Sequence, residues 1–264
     1  MQPVRQRHIA VRQIDGIAYG CYVTNDSDET DPFTETSAFG ATMNSPFFTV
    51  TGAPNVIQPA FVWAASIAGV AAASLAIDPA RQLQTLPLPG IIGPAQGKGF
   101  IFTEQNLLLH DGISTFDVGT DGTVSIQRQI TTYQKNAGGV LDASYLDVTT
   151  IANLSYLRYT TRAFIVSNFP RYKLADDGTP IASGQAIVTP TVIAAGLVSL
   201  ASDWVDDGLI QDLASFKTSL VVQRNADDPN RVDVLSNPNL VGNLIIFAEQ
   251  IQFLLGTATT TATS

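Results

Sequence analysis

AFVWAASIAGVAAASLAI, residues 60–77, is the stretch on which the fold turns. Its eighteen positions carry no charge, which is about the minimum length for a helix that crosses a bilayer. Alanine dominates it, however, and Ser66, Gly69 and Ser74 dilute it further, so its transfer into lipid would gain little. The same composition suits a helix lying against a sheet. Pro59 near its start and the Asp78-Pro79 pair after it bracket such a helix. Read as a core helix, the stretch makes this an α/β chain with no membrane insertion.

Outward from that helix the pattern alternates. Upstream, Phe47 to Val50 reads as a short strand. Downstream, Leu83 to Leu88 reads as a strand stopped by Pro89-Gly90, and Thr103 to Leu109 as a short helix. Ile113 to Val118 and Thr123 to Thr131, joined across Gly119 to Gly122 with its Asp-Gly pair, read as a hairpin. Past Ala137-Gly138-Gly139 the spacing becomes helical. Thr149 or Thr150 caps a helix to about Asn168, with Leu154, Leu157, Thr161, Phe164 and Ile165 on one face. Thr189-Pro190 opens another helix, which ends at Asp206-Asp207 before Gly208. Strand-like segments follow at Ser219 to Gln223, Arg231 to Leu235 and Asn243 to Leu255. The expected fold class is α/β and α+β: a partial mixed-sheet α/β domain over 1–137, then a smaller α+β domain over 138–255. Residues 256–264, only Gly, Thr, Ala and Ser, read as a disordered tail.

Composition narrows the function. Of 264 residues 45% are hydrophobic and 14% charged, little more than half the roughly 25% usual for a soluble domain. So few charges leave much uncharged surface, and burial against partners is one physical reason for it. With 14 basic against 23 acidic residues, sequence-independent nucleic-acid binding lacks its phosphate-neutralising groups. Arg5, Arg7 and Arg12 interrupt the start before a secretory signal could form, and the single Cys21 precludes an internal disulfide framework.

Catalytic patterns are missing as well. The two histidines, His8 and His110, accompany no Gly-x-Ser-x-Gly elbow. Gly93 to Gly99, GPAQGKG, lacks the spacing of a phosphate loop and the hydroxyl after Lys98 that would hold magnesium. Asp26, Asp28, Glu29 and Asp31 resemble the start of a calcium loop without its Gly and distal Glu, and read as a solvated acidic loop. No enzyme, cofactor or metal site is expected. A hydrolase on an α/β scaffold is the remaining enzymatic alternative, and it needs a Ser, a His and an acid converging in one pocket.

Two features point to partners. Arg158 and Arg162 share a helix face, with Arg171 and Lys173 close behind; they form either a solvated face or a docking patch for an acidic protein surface. In the segment from Ile245, Phe247, Ile251, Phe253 and Leu255 alternate with Ala248, Gln250 and Gln252, as in a half-buried strand. That strand completes either its own sheet or a neighbour's.

LAIDPARQLQTLPLPG (75–90), NLLLHDGISTFDVGTDGTVSIQRQITTYQKN (106–136), SYLDVTTIANLSYLRYTTRA (144–163) and RNADDPNRVDVLSNPNLVGNLIIFAEQIQFLL (224–255) resemble the contractile tail sheath proteins of Mu-like bacteriophages. The resemblance runs colinearly over about residues 61–255. It implies a non-catalytic middle domain of subtilisin-like fold followed by a sheath C-terminal domain. Its implied partners are other sheath subunits in six-fold rings, the inner tail tube protein, and baseplate and tail-terminator proteins. Its implied setting is the virion tail, assembled in the bacterial host cytoplasm. A headless bacteriocin-like particle is the close functional alternative. The resemblance also implies that Asn243 to Leu255 is a strand shared between subunits, and that Arg158 and Arg162 lie on the domain facing the tube. Sheath subunits are much longer, and Met1 falls partway into their middle domain. The expectation is therefore a fragment or truncated gene that is a monomer or small oligomer in solution.

Overall fold

The computed structural model describes residues 16–26 and 31–252. Arg5, Arg7, His8, Arg12, Asp28, Glu29, Phe253, Leu255 and the tail 256–264 lie outside them. In the first half, β1 (Ala18–Thr24), β2 (Phe48–Pro54), β3 (Ile113–Val118) and β4 (Val124–Arg128) form one sheet in that order. The first three strands are parallel and β4 returns antiparallel, with a bulge between Thr115 and Phe116. β2 is buried along nearly its whole length because helices cover both faces of the sheet.

On one face lie α1 (Pro32–Gly40) and α3 (Phe102–His110). Asp31 caps α1 by accepting from the Thr34 N–H at 3.1 Å, and Pro32 opens it without wasting a donor. Val50, Leu108 and Ile113 form the core here, packed by Phe33, Phe39, Phe48 and Phe100, and the Tyr22 ring stacks on Phe39 at 4.0 Å. Gly40 ends α1 against the Asp111 carbonyl and the Ile113 side chain, too near for any Cβ.

On the other face lies α2 (Ala60–Ile77), the stretch that decides the fold. It docks through one stripe, Trp63, Ile67 and Ala71, onto Ala53, Phe116, Val124 and Ile126. Val62, Val70 and Leu75 flank that stripe half-buried, while the outer side of the helix faces away, with Phe61 72% and Ile77 84% exposed. The expected helix against a sheet is therefore present, but as a surface helix with a narrow buried seam. Among the described residues it is the one helix long and apolar enough to cross a membrane by length and composition. Cys21 points from β1 into this core, and burial pushes its thiol up to about 12.

The segment Leu83 to Leu88, read above as a strand, forms none. Thr85 adopts a left-handed conformation (φ 67°), which breaks the extended run. The segment still edges β4, with Thr85 N–H donating to Ile126 O at 2.8 Å and Leu88 N–H to Val124 O at 2.8 Å. At the opposite end of the sheet a buried polar knot joins the strands: Ser114 Oγ donates to Ile130 O and accepts from Ile130 N–H, both at 3.0 Å. Gln129 Nε2 donates to Thr49 Oγ1 at 2.6 Å.

In the second half, α4 (Val148–Asn168), α5 (Pro190–Asp206) and α6 (Leu213–Ser219) gather around Leu157, Ala201, Trp204, Ile210 and Phe216. α4 starts two or three residues earlier than expected, with Asp147 in extended backbone at its cap instead of Thr149 or Thr150. Its first residue, Val148, packs in the sheet core, and Leu157 packs in the helical one, so α4 joins the two. α5 follows its Thr189-Pro190 start, and the Asp177 carboxylate adds a bond from Thr191 N–H at 3.1 Å. α4 and α5 cross where Gly196 meets the Phe164 ring; a Cβ there would lie 2.6 Å from Phe164 Cζ. Trp204 Nε1 donates to Thr160 Oγ1 at 3.1 Å across the same pair. Three two-stranded sheets finish the half: β5 (Lys173–Leu174) with β6 (Ile187–Val188), β7 (Ile210–Gln211) with β10 (Asn239–Leu240), and β8 (Val221–Arg224) with β9 (Val232–Leu235).

Candidate functional site

The described residues hold no cluster of His, Cys, Asp or Glu that could bind a metal ion. His110 is the exposed last residue of α3. The Gly93 to Gly99 loop lines part of a cleft of about 790 Å³ at the C-terminal ends of β2 and β3. Lys98 turns away from this role, its Nζ paired with Asp26 Oδ2. Asp117 lines the cleft instead, so a carboxyl group stands where a phosphate loop would place its cation.

Three surfaces among the described residues expose apolar side chains. After β10, residues 241–252 form no strand within this chain, although the sequence alternates as one. Ile245 is half-buried, whereas Ile246, Phe247 and Ile251 are 76%, 79% and 78% exposed. Leaving three large apolar side chains in water forfeits roughly 1.5 to 3 kcal/mol each, which a partner surface would recover.

β8 and β9 form a second incomplete element. They pair only with each other among the described residues, in the register Val221 to Leu235 through Arg224 to Val232. Their loop is set by Asn225, whose Oδ1 accepts from the N–H groups of Asp227 and Asp228, both at 2.9 Å. The Asn225 amide also holds Asp233 below the usual carboxylate range, aided by Arg231. Val222 and Val232 pack its inner face against Ile193 and Leu197 of α5, whereas Val221, Val234 and Leu235 are exposed on it. The alternation in VVQR and VDVL marks both strands in the sequence, but not their pairing with each other.

The structure brings Arg158 and Arg162 onto one exposed face of α4. Arg171 and Lys173 lie beyond the C-terminal end of that helix, both exposed, Arg171 in a left-handed turn (φ 61°) and Lys173 in β5. Tyr159 and Val166, 69% and 62% exposed, interleave with the arginines. Sequence reading found the charges and missed these apolar neighbours, which turn a charge run into a mixed contact surface.

Residues 1–132 match the family model of the phage tail sheath protein central domain, and residues 141–253 match that of the phage tail sheath C-terminal domain. The chain belongs to the phage tail sheath family. It is 42% identical over 245 residues to the Mu-like prophage FluMu tail sheath protein of Haemophilus influenzae; the match covers 93% of this chain and 49% of that protein. The sheath chain therefore spans about half the length of that relative. Its fold is similar to a chain in the cryo-EM structure of the anti-feeding prophage baseplate, with a TM-score of 0.56, 11% identity, and coverage of 88% of this chain and 60% of that one. It is also similar to the crystal structure of a sheath tail protein from Desulfitobacterium hafniense, with a TM-score of 0.50, 13% identity, and coverage of 83% and 48%. These likenesses show a shared mixed α/β fold, and the family matches identify the chain with a structural tail protein.

Proposed function

We propose that this chain forms part of the subunit of a contractile phage tail sheath, one that polymerises around an inner tube and shortens to drive that tube through a bacterial envelope. The observation that carries the reading is the presence of two incomplete elements in one chain: an exposed apolar arm at 245–252 and a β8–β9 hairpin whose outer edges are unpaired among the described residues. An arm that adds to a neighbour's sheet gains main-chain hydrogen bonds and covers Phe247 and Ile251. Because arm and hairpin are different patches, the contact is head-to-tail and propagates. On this reading Ile245, Phe247 and Ile251, with Phe253 and Leu255, form the intersubunit strand.

Contraction then needs no cofactor. Subunits held in an extended lattice rotate as rigid bodies into one with better contacts, and shared strands keep the lattice connected meanwhile. The energy is the difference between two contact sets, summed over many subunits. The Arg158 and Arg162 face, with Arg171 and Lys173, would meet an acidic tube surface. Baseplate and terminator proteins would cap the ends, and assembly in the host cytoplasm would precede residence in the virion tail. We place the boundary between the two sheath domains at residues 137–139, within the Asn136 to Val140 turn. The Mu-like prophage relative at 42% identity favours a phage tail over a headless particle.

The test is electron microscopy of the full-length gene product co-expressed with its tube protein, with and without Phe247 to Leu255. Sheaths in the intact protein and none in the deletion are expected. Normal sheaths from the deletion would refute the strand assignment.

A further inference from the structure

We infer that Gln82, Thr149, Asn153 and Asn243 form a polar clasp that holds the root of the C-terminal arm across the junction of the chain's two halves and so fixes the direction in which the arm leaves. The inference takes its purpose from the arm reading above, but its geometry and its test do not depend on it.

The root is held repeatedly within six residues. Asn239 and Leu240 pair antiparallel with Gln211 and Ile210. Val241 N–H then donates to Leu209 O at 3.2 Å. The Asn243 amide donates to Thr149 Oγ1 at 2.7 Å, and the Gln82 amide donates to Leu244 O at 2.8 Å. The Leu209 carbonyl also takes the Asn153 amide, at 2.8 Å. One carbonyl between α5 and β7 thus receives both the strap and the first half of α4. Gln82 belongs to the segment edging β4, so these bonds tie the sheet-bearing half to the helical half.

Packing contributes little to this hold. Leu240 packs against the helical core, but beyond it the strap overlies a polar cavity of about 80 Å³ lined by Asp147, Thr149, Thr150 and Asn153. Hydrogen bonds are directional where apolar contact is not, so a strap held this way is aimed as well as attached. An arm whose first residues are already ordered loses less conformational freedom when a neighbour captures it. Any pull on the arm is also delivered to the junction rather than to either core.

The test uses the full chain carrying Gln82→Met and Asn243→Leu, which remove both side-chain donors with little change in volume. Amide hydrogen exchange at Val241 should rise about tenfold while the amides of β2 and β3 keep their rates. Gln82→Met alone, at a half-buried position, should give part of the same rise. With Cys21→Ser as background, dyes at Val192→Cys and Gln250→Cys should report a broader distance distribution in the double variant. An unchanged Val241 rate and unchanged distribution, or a rise shared equally with β2, would overturn the clasp. A chain that assembles without its arm would instead remove the arm reading and leave these results standing.

Discussion

Replacing Trp63 separates a docked core helix from one merely adjacent to the sheet. Trp63 is fully buried, and its ring lies 4.8 Å from that of Phe116 at the centre of the α2 seam. A buried tryptophan removes about 200 Å² from water, worth about 5 kcal/mol at 25 cal/mol per Å². Part of that is retained by the alanine methyl and by relaxation, so Trp63→Ala should destabilise the chain by about 3 to 5 kcal/mol. Trp63→Phe should cost under about 1.5 kcal/mol, because the indole N–H is buried without an acceptor and its loss offsets part of the lost volume. Phe61→Ala, two residues away on the exposed side, should stay within about 0.5 kcal/mol. Urea unfolding followed by far-ultraviolet circular dichroism, with the slope checked for constancy across variants, measures all three. Equal costs for Trp63→Ala and Phe61→Ala would refute the single-seam docking of α2.

Gly40→Ala should destabilise by about 1 to 2 kcal/mol in the same assay: helix propensity favours alanine by up to about 1 kcal/mol, but the new methyl meets the Asp111 backbone carbonyl, which cannot rotate away. Stability should fall as pH rises above 9, because burial lifts Cys21 from 9.0 and Tyr19 from 10.0, each to about 12. The folded state then keeps protons that the unfolded chain has released, and the slope is negative until about pH 12. Cys21→Ala should move the onset toward pH 10, and a flat profile from 9 to 11 in the parent would contradict the burial. Arg158→Glu with Arg162→Glu should leave unfolding within about 0.5 kcal/mol and weaken binding to the cognate tube protein, more so at low salt. Unchanged tube affinity would remove the docking patch.

Much of this architecture is legible in local chemistry. The α2 boundaries follow from flanking prolines, the β3–β4 hairpin from Asp121-Gly122, and α5 from Thr189-Pro190. What escaped has physical reasons. β1, AYGCYVT, alternates weakly because both its faces meet helices, and its partners lie far along the chain. α1 was hidden in a Thr/Phe/Gly-rich run, although Asp31-Pro32 is a cap followed by a first-turn proline. α6 opens at Asp212, whose left-handed backbone leaves no trace in composition. The Leu83 to Leu88 run has a strand's residues and is denied a strand's geometry by Thr85. At the assembly surfaces, charge and alternation were readable one residue at a time. The clasp was not, because Gln82, Thr149 and Asn243 are ordinary polar residues until the fold brings them together.

The central claim is that the arm of one copy completes the β8–β9 sheet of another. Its most direct measurement is site-specific cross-linking in assembled sheaths of the full-length protein, in a background lacking the native cysteine. Phe247→Cys in one isotopically labelled population is mixed before assembly with Val221→Cys or Val234→Cys in another, then oxidised. Disulfides that join labelled to unlabelled chains, well above those formed by a cysteine at exposed Ile57, are the expected result. Disulfides confined within single chains, or none above those formed by a cysteine at exposed Ile57, would contradict it.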